Sequence, residues 1–95
     1  SKMALAGLTQ LTARELAPRV RVNAVAPGLT IATADYSDDQ MERLSGAMPL
    51  DCLPQPSQIA DAVTYLAGAT AVTGQVLYVD GGAHMQSYPR DFMHL

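Results

Sequence analysis

Apolar residues recur at helical spacing over residues 3 to 17. Leu5, Leu8, Leu11 and Leu16 fall three to five apart, with Thr12 beside them, and Ala4, Ala6 and Gly7 extend the stripe. The small residues Ala4 and Gly7 would admit close approach of another element. Pro18 then ends the helix, because it has no amide donor and restricts the residue before it. Val20-Arg21-Val22-Asn23-Ala24-Val25-Ala26 is β-branched at alternate positions and stops at Pro27-Gly28, the pattern of a short strand running into a turn. Residues 29 to 56 are less regular. A helix is expected there over Asp38 to Ala47, behind the acidic residues Asp35, Asp38 and Asp39, with Ser37 or Asp38 as its cap. Pro54, Pro56 and Ser57 announce a further helix, with Ser57 as cap, Ile59, Ala62, Val63 and Leu66 as its apolar face, and Gly68 closing it. After the turn Val72-Thr73-Gly74, the run Gln75 to Val79 predicts a strand. Its consecutive apolar residues suit a strand covered on both faces. Asp80-Gly81-Gly82 ends it, and the tail from Ala83 to Leu95 has no clear period.

Helix, strand, helix, helix, strand is an α/β order. Two short parallel strands need neighbours and covering helices, so the pattern predicts part of a layered α/β domain rather than all of one. The first residues, Ser1 to Leu8, read as the inside of a helix, and further chain is expected before Ser1.

Composition narrows the classes. With 48% hydrophobic and 16% charged residues, the chain has enough apolar surface to form a globular core. The net charge of -3 and six scattered basic residues argue against a nucleic-acid partner. No run approaches the roughly 20 apolar residues that span a bilayer, so no membrane role is expected. Cys52 is alone, which excludes an intrachain disulfide and a cysteine-based zinc site. A cytoplasmic setting is the expectation.

Four segments, in order, then carry a family resemblance. Ser1-Lys2 with the Ala/Leu/Gly helix resembles the end of the Tyr-x-x-x-Lys motif of short-chain dehydrogenases/reductases. Arg21 to Gly28 looks like that family's sixth strand and Pro-Gly turn. Ser57 to Gly68 is similar to the helix after its substrate loop, and Thr73 to Gly82 resembles its last strand and Asp-Gly-Gly signature. The resemblance implies the C-terminal portion of a Rossmann-type doubly wound parallel sheet, a single NAD(P)-binding domain over residues 1–95. The substrate-loop region would occupy 28–56 and the C-terminal tail 83–95. It implies an oxidoreductase that moves a hydride between a nicotinamide cofactor and a carbonyl, alcohol or pterin-type substrate, with NADP(H) favoured over NAD(H). Lys2 matches the catalytic lysine, which also binds the cofactor, and the tyrosine would lie before Ser1. Pro27, Gly28, Leu29, Thr30 and Ile31 would line the nicotinamide side. Leu29, Tyr36 and Met41 would face the substrate. Pro27-Gly28-Leu29-Thr30 resembles the Pro-Gly-Leu-Ser turn of pteridine reductases, with Thr30 as a substitute hydroxyl; Thr33 falls one place late for the family's threonine. The remaining N-terminal part of the same enzyme and a homotetramer are the partners implied. This chain alone would be inactive. The competing reading is a noncatalytic binding or assembly module on the same fold.

Plainer roles are also open. Asn23 suits a strand-end residue that satisfies backbone groups, and the acidic run suits a solvated helix start. Asp80-Gly81-Gly82 is read as mostly structural. Met41, Met48, Tyr36 and Leu50 would line an apolar substrate lid or fill gaps in the core. His84 and His94, ten apart and lacking a carboxylate pattern, do not read as a metal site. Phe92, Met93 and Leu95 in the tail suit burial against a neighbouring subunit.

Overall fold

The computed structural model describes residues 2–28 and 37–86. Five elements occur in the order α1 (Lys2–Leu16), β1 (Ala24–Ala26), α2 (Asp38–Ala47), α3 (Pro56–Gly68) and β2 (Val76–Tyr78), followed by one 3-10 turn at Ala83–Met85. The two strands are parallel neighbours, paired Ala24 to Val76, Val25 to Leu77 and Ala26 to Tyr78. Both therefore deliver their C-terminal ends to the same edge of the sheet.

Both strands are shorter than their sequence patterns. At the start of β1, side chains take over the pairing: Val22 N–H donates to Thr73 Oγ1 at 3.1 Å. The Asn23 carboxamide donates to Val72 O at 2.9 Å and accepts from Gln75 N–H at 3.0 Å. That is the structural role expected of Asn23. β2 is half-buried rather than covered on both faces, and Leu77 is exposed.

The helix α1 neighbours β2 and buries a face other than its leucine stripe. Thr9 and Ala13, four apart, are buried, whereas Leu8 and Leu11 are 64% and 58% exposed and Leu5 and Leu16 are also on the surface. The small Ala13 lets the Gly74 turn approach it, and the Thr9 hydroxyl is satisfied by Leu5 O at 2.7 Å. At Gly7, expected to permit a close approach, an added Cβ would meet nothing within 4 Å among the described residues.

α2 has the bounds its sequence predicted. Ser37 caps it, accepting from Gln40 N–H at 3.2 Å while the Gln40 side chain accepts from Ser37 N–H at 3.0 Å. The cap of α3 is Gln55, two residues before the expected Ser57. Pro56 takes the first helical position, where its missing N–H costs nothing, and Gln58 Oε1 accepts from Gln55 N–H at 2.8 Å. Ser57 is therefore inside the helix. At the other end Gly68 is the last helical residue, and no left-handed glycine cap follows, because Ala69 is the C-cap. The carbonyls there are met instead by Arg21, whose guanidinium donates to Leu66 O, Ala69 O and Ala67 O at 2.7, 2.8 and 2.8 Å. Ala62 and Leu66 form the buried face of α3; Val63 is exposed.

Candidate functional site

Each strand ends in a glycine turn, and the two turns press on each other. β1 runs into Pro27-Gly28, with Gly28 at φ +63, and β2 into Asp80-Gly81-Gly82, with φ +67 and +91 at its glycines. Val79 N–H donates to Ala26 O at 3.0 Å across the pair. A Cβ on Gly28 would sit 3.0 Å from Asp80 Cβ. Glycine is required there by both conformation and space.

Asp80, 7% exposed, is held by donors from the turn it begins. Gly82 N–H donates to Oδ1 and His84 N–H to Oδ2, both at 3.0 Å, and His84 Nδ1 lies 3.1 Å from each oxygen. Against a carboxylate, Nδ1 carries the hydrogen, which leaves Nε2 for other partners. The His84 ring stacks on Tyr78 with centroids 4.2 Å apart and planes 12° apart. Sequence reading set His84 against His94, ten residues away, and missed Asp80 four residues before it. The signal was short-range, but it needed the 3-10 turn to bring the two together. Among the described residues, no three His, Cys, Asp or Glu side chains gather as a metal site.

The chain between α2 and α3 rests on the same turn. Leu50 N–H donates to Gly81 O at 3.0 Å. A Cβ on Gly81 would run into the Cys52 carbonyl, and one on Gly82 would lie 2.9 Å from Pro49 Cβ. Beside this contact is a groove of about 350 Å³ lined by Leu50, Cys52, Gln58, Tyr78, His84 and Met85 among others. A second cleft of similar size lies beside Arg21, but that guanidinium is already occupied by the α3 carbonyls.

The predicted site residues divide. Pro27 and Gly28 lie at the C-terminal end of β1, as expected. Lys2 opens α1, and its side chain lies outside the described atoms. Leu29, Thr30, Ile31 and Tyr36 lie outside the described residues, as do Thr33, Asp35, His94 and the tail residues Phe92, Met93 and Leu95. Met41 packs, partly buried, on the cluster of Leu44, Met48 and Leu53, which favours the core-filling role over a lid. Met48 belongs to that cluster, while Leu50 is exposed.

Comparison with known proteins bears on this geometry. A family model described as Enoyl-(Acyl carrier protein) reductase matches residues 1–84. The short-chain dehydrogenase/reductase homolog YusR of Bacillus subtilis is 36% identical over 84 residues, covering 86% of this chain and 64% of that protein. The 3-oxoacyl-(acyl-carrier-protein) reductase FabG of Staphylococcus aureus is 41% identical over 90 residues, covering 90% of this chain and 37% of that protein. Among solved structures, FolM alternative dihydrofolate reductase 1 from Brucella canis, complexed with NADP, superposes with a TM-score of 0.77 at 37% identity. It covers 94% of this chain and 35% of that one. The α/β architecture is thus that of a Rossmann-type parallel sheet. The chain spans 32 to 64% of the length of the first curated relatives it matches.

Proposed function

Because the chain belongs to the short-chain dehydrogenase/reductase family, we propose that it supplies the C-terminal portion of an NADP(H)-dependent oxidoreductase acting on a carbonyl, alcohol or pterin-type substrate. The observation that carries this reading is the pair of interlocked glycine turns at the C-terminal ends of two parallel strands, the edge where open α/β sheets take their ligands. Gly28, with no side chain and a positive φ, suits close approach of backbone to a nicotinamide. The NADP-bound Brucella relative supports NADP(H) over NAD(H).

The cofactor, when bound, supplies or accepts the hydride. In this reading Lys2 holds the nicotinamide ribose and sets a positive charge beside a tyrosine four residues earlier. In a helix that spacing would put both side chains on one face. A phenol, with an unperturbed pKa of about 10, transfers its proton more readily when a neighbouring cation stabilises the phenolate. Pro27, Gly28, Leu29, Thr30 and Ile31 are the residues proposed for the nicotinamide side, and Leu29, Tyr36 and Met41 those proposed for the substrate. The Pro27-Gly28-Leu29-Thr30 turn and the FolM likeness support a pterin; the FabG likeness supports a 3-oxoacyl thioester. The exposed leucines of α1 support a partner surface, met by the rest of the enzyme and by further subunits of a homotetramer.

The test is Lys2→Ala in the natural protein that carries this chain, assayed with NADPH against dihydropterin and 3-oxoacyl thioester substrates. Turnover is expected to fall by about 10²-fold or more. Parent-like turnover in the variant would favour the noncatalytic reading.

A further inference from the structure

Asp80 is the buried carboxylate among the described residues, and no step of the proposed reaction uses it. A buried charge is costly unless it is paired and hydrogen-bonded. Asp80 finds its hydrogen bonds within five residues of chain, through Gly82 N–H, His84 N–H and the His84 ring. The ring is itself held in plane by Tyr78. The result is a rigid glycine turn.

Two segments distant in sequence use that turn as a floor. On one side, Gly28 abuts Asp80 itself. On the other, Leu50 hydrogen-bonds to Gly81 O, and Pro49 and the Cys52 carbonyl pack on Gly82 and Gly81. Gly28 precedes, and Pro49 to Cys52 follow, the stretch that holds the candidate residues Leu29, Thr30, Ile31, Tyr36 and Met41. We infer that Asp80 is a positioning residue: by fixing the Gly81-Gly82 turn, it sets the separation between the backbone at Gly28 and the run Pro49–Cys52, and so registers cofactor-facing against substrate-facing chain. The inference rests on the proposed function.

The test is Asp80→Asn in the natural protein, which keeps the side-chain size and an acceptor for Gly82 N–H but cannot accept both bonds from His84. Steady-state kinetics well below the melting temperature, NADPH affinity by fluorescence, and hydrogen exchange at the Leu50 amide are the readouts. The KM values for NADPH and for the carbonyl substrate are both expected to rise about tenfold, the scale of one charge-assisted hydrogen bond. Faster exchange at Leu50 and a parent-like circular dichroism spectrum should accompany them. A merely structural role would lower kcat in proportion to the folded fraction and leave both KM values alone; that result overturns the inference. If Asp80→Asn does not fold, Gly82→Ala pushes on the Pro49 ring, at 2.9 Å, and on the flexible end of Met85, but not on Gly28. It should raise the substrate KM with NADPH affinity unchanged, and an unchanged substrate KM overturns the inference equally. A parent protein with no NADPH-dependent turnover would sink the proposed function itself, whereas an active parent with unaltered variants sinks only the role of Asp80.

Discussion

Replacing Arg21 with Met should unfasten the C-terminal end of α3. The last carbonyls of a helix lack its regular i+4 donors, and here, beside the turn bonds from Ala69 N–H to Leu66 O and Val72 N–H to Ala69 O, the guanidinium donates to Leu66 O, Ala67 O and Ala69 O at 2.7 to 2.8 Å. Hydrogen bonds from a charged donor contribute roughly 1.5 to 3 kcal/mol each, with water recovering much of that at exposed positions. The bonds to Leu66 and Ala69 are part-buried and that to Ala67 is exposed, so two bonds dominate. A cation at a helix C-terminus adds about 0.3 to 1 kcal/mol. Met keeps the aliphatic bulk, leaving a net loss of about 2 to 4 kcal/mol. In a protein of 150 to 250 residues that lowers the melting temperature by roughly 4 to 16 °C. Lys retains the charge, but its one nitrogen cannot reproduce the fork in which Nη1 meets Leu66 O and Ala69 O while Nη2 meets Ala67 O, and about half the loss is expected. Urea unfolding of the natural protein and its two variants measures both. An Arg21→Met variant within about 0.5 kcal/mol of the parent would refute the assignment of Arg21 as the cap of α3.

Gly81→Ala should cost about 3 kcal/mol or more, since it combines a φ of +67 with a Cβ directed at the Cys52 carbonyl. Gly7→Ala, in a helix where an added Cβ would meet nothing within 4 Å among the described residues, should stabilise by up to about 1 kcal/mol, so the two glycine variants move in opposite directions in one thermal-shift experiment. Ser37→Ala removes one half of the α2 capping box and should destabilise by about 1 kcal/mol in chemical denaturation, with Ser37→Asp close to the parent.

Local chemistry made the elements legible. Periodicity located the three helices and both strands to within a few residues, because Pro18, the Ser37/Gln40 pair and the Pro54-to-Ser57 run act on the chain next to them. The Pro27-Gly28 and Asp80-Gly81-Gly82 turns were visible for the same reason. Which surfaces met was a different matter. Leucine spacing on α1 pointed to Leu5, Leu8, Leu11 and Leu16, yet the residues it buries are Thr9 and Ala13. A helix with two packable faces does not state in its own sequence which one a given strand takes. Arg21 as the cap of α3 spans more than 40 residues of chain, and Gly28 against Asp80 spans 52, so neither contact has a local signature. Asp80 and His84 are near in sequence, but they pair only because the two left-handed glycines between Asp80 and the 3-10 turn fold the chain back. The sequence by itself determined the elements, their order and the turns at the strand ends, since each depends on residues within a few positions. The tertiary structure decided which faces touch and what the turn at Asp80 supports, because those depend on parallel pairing of strand positions 52 residues apart.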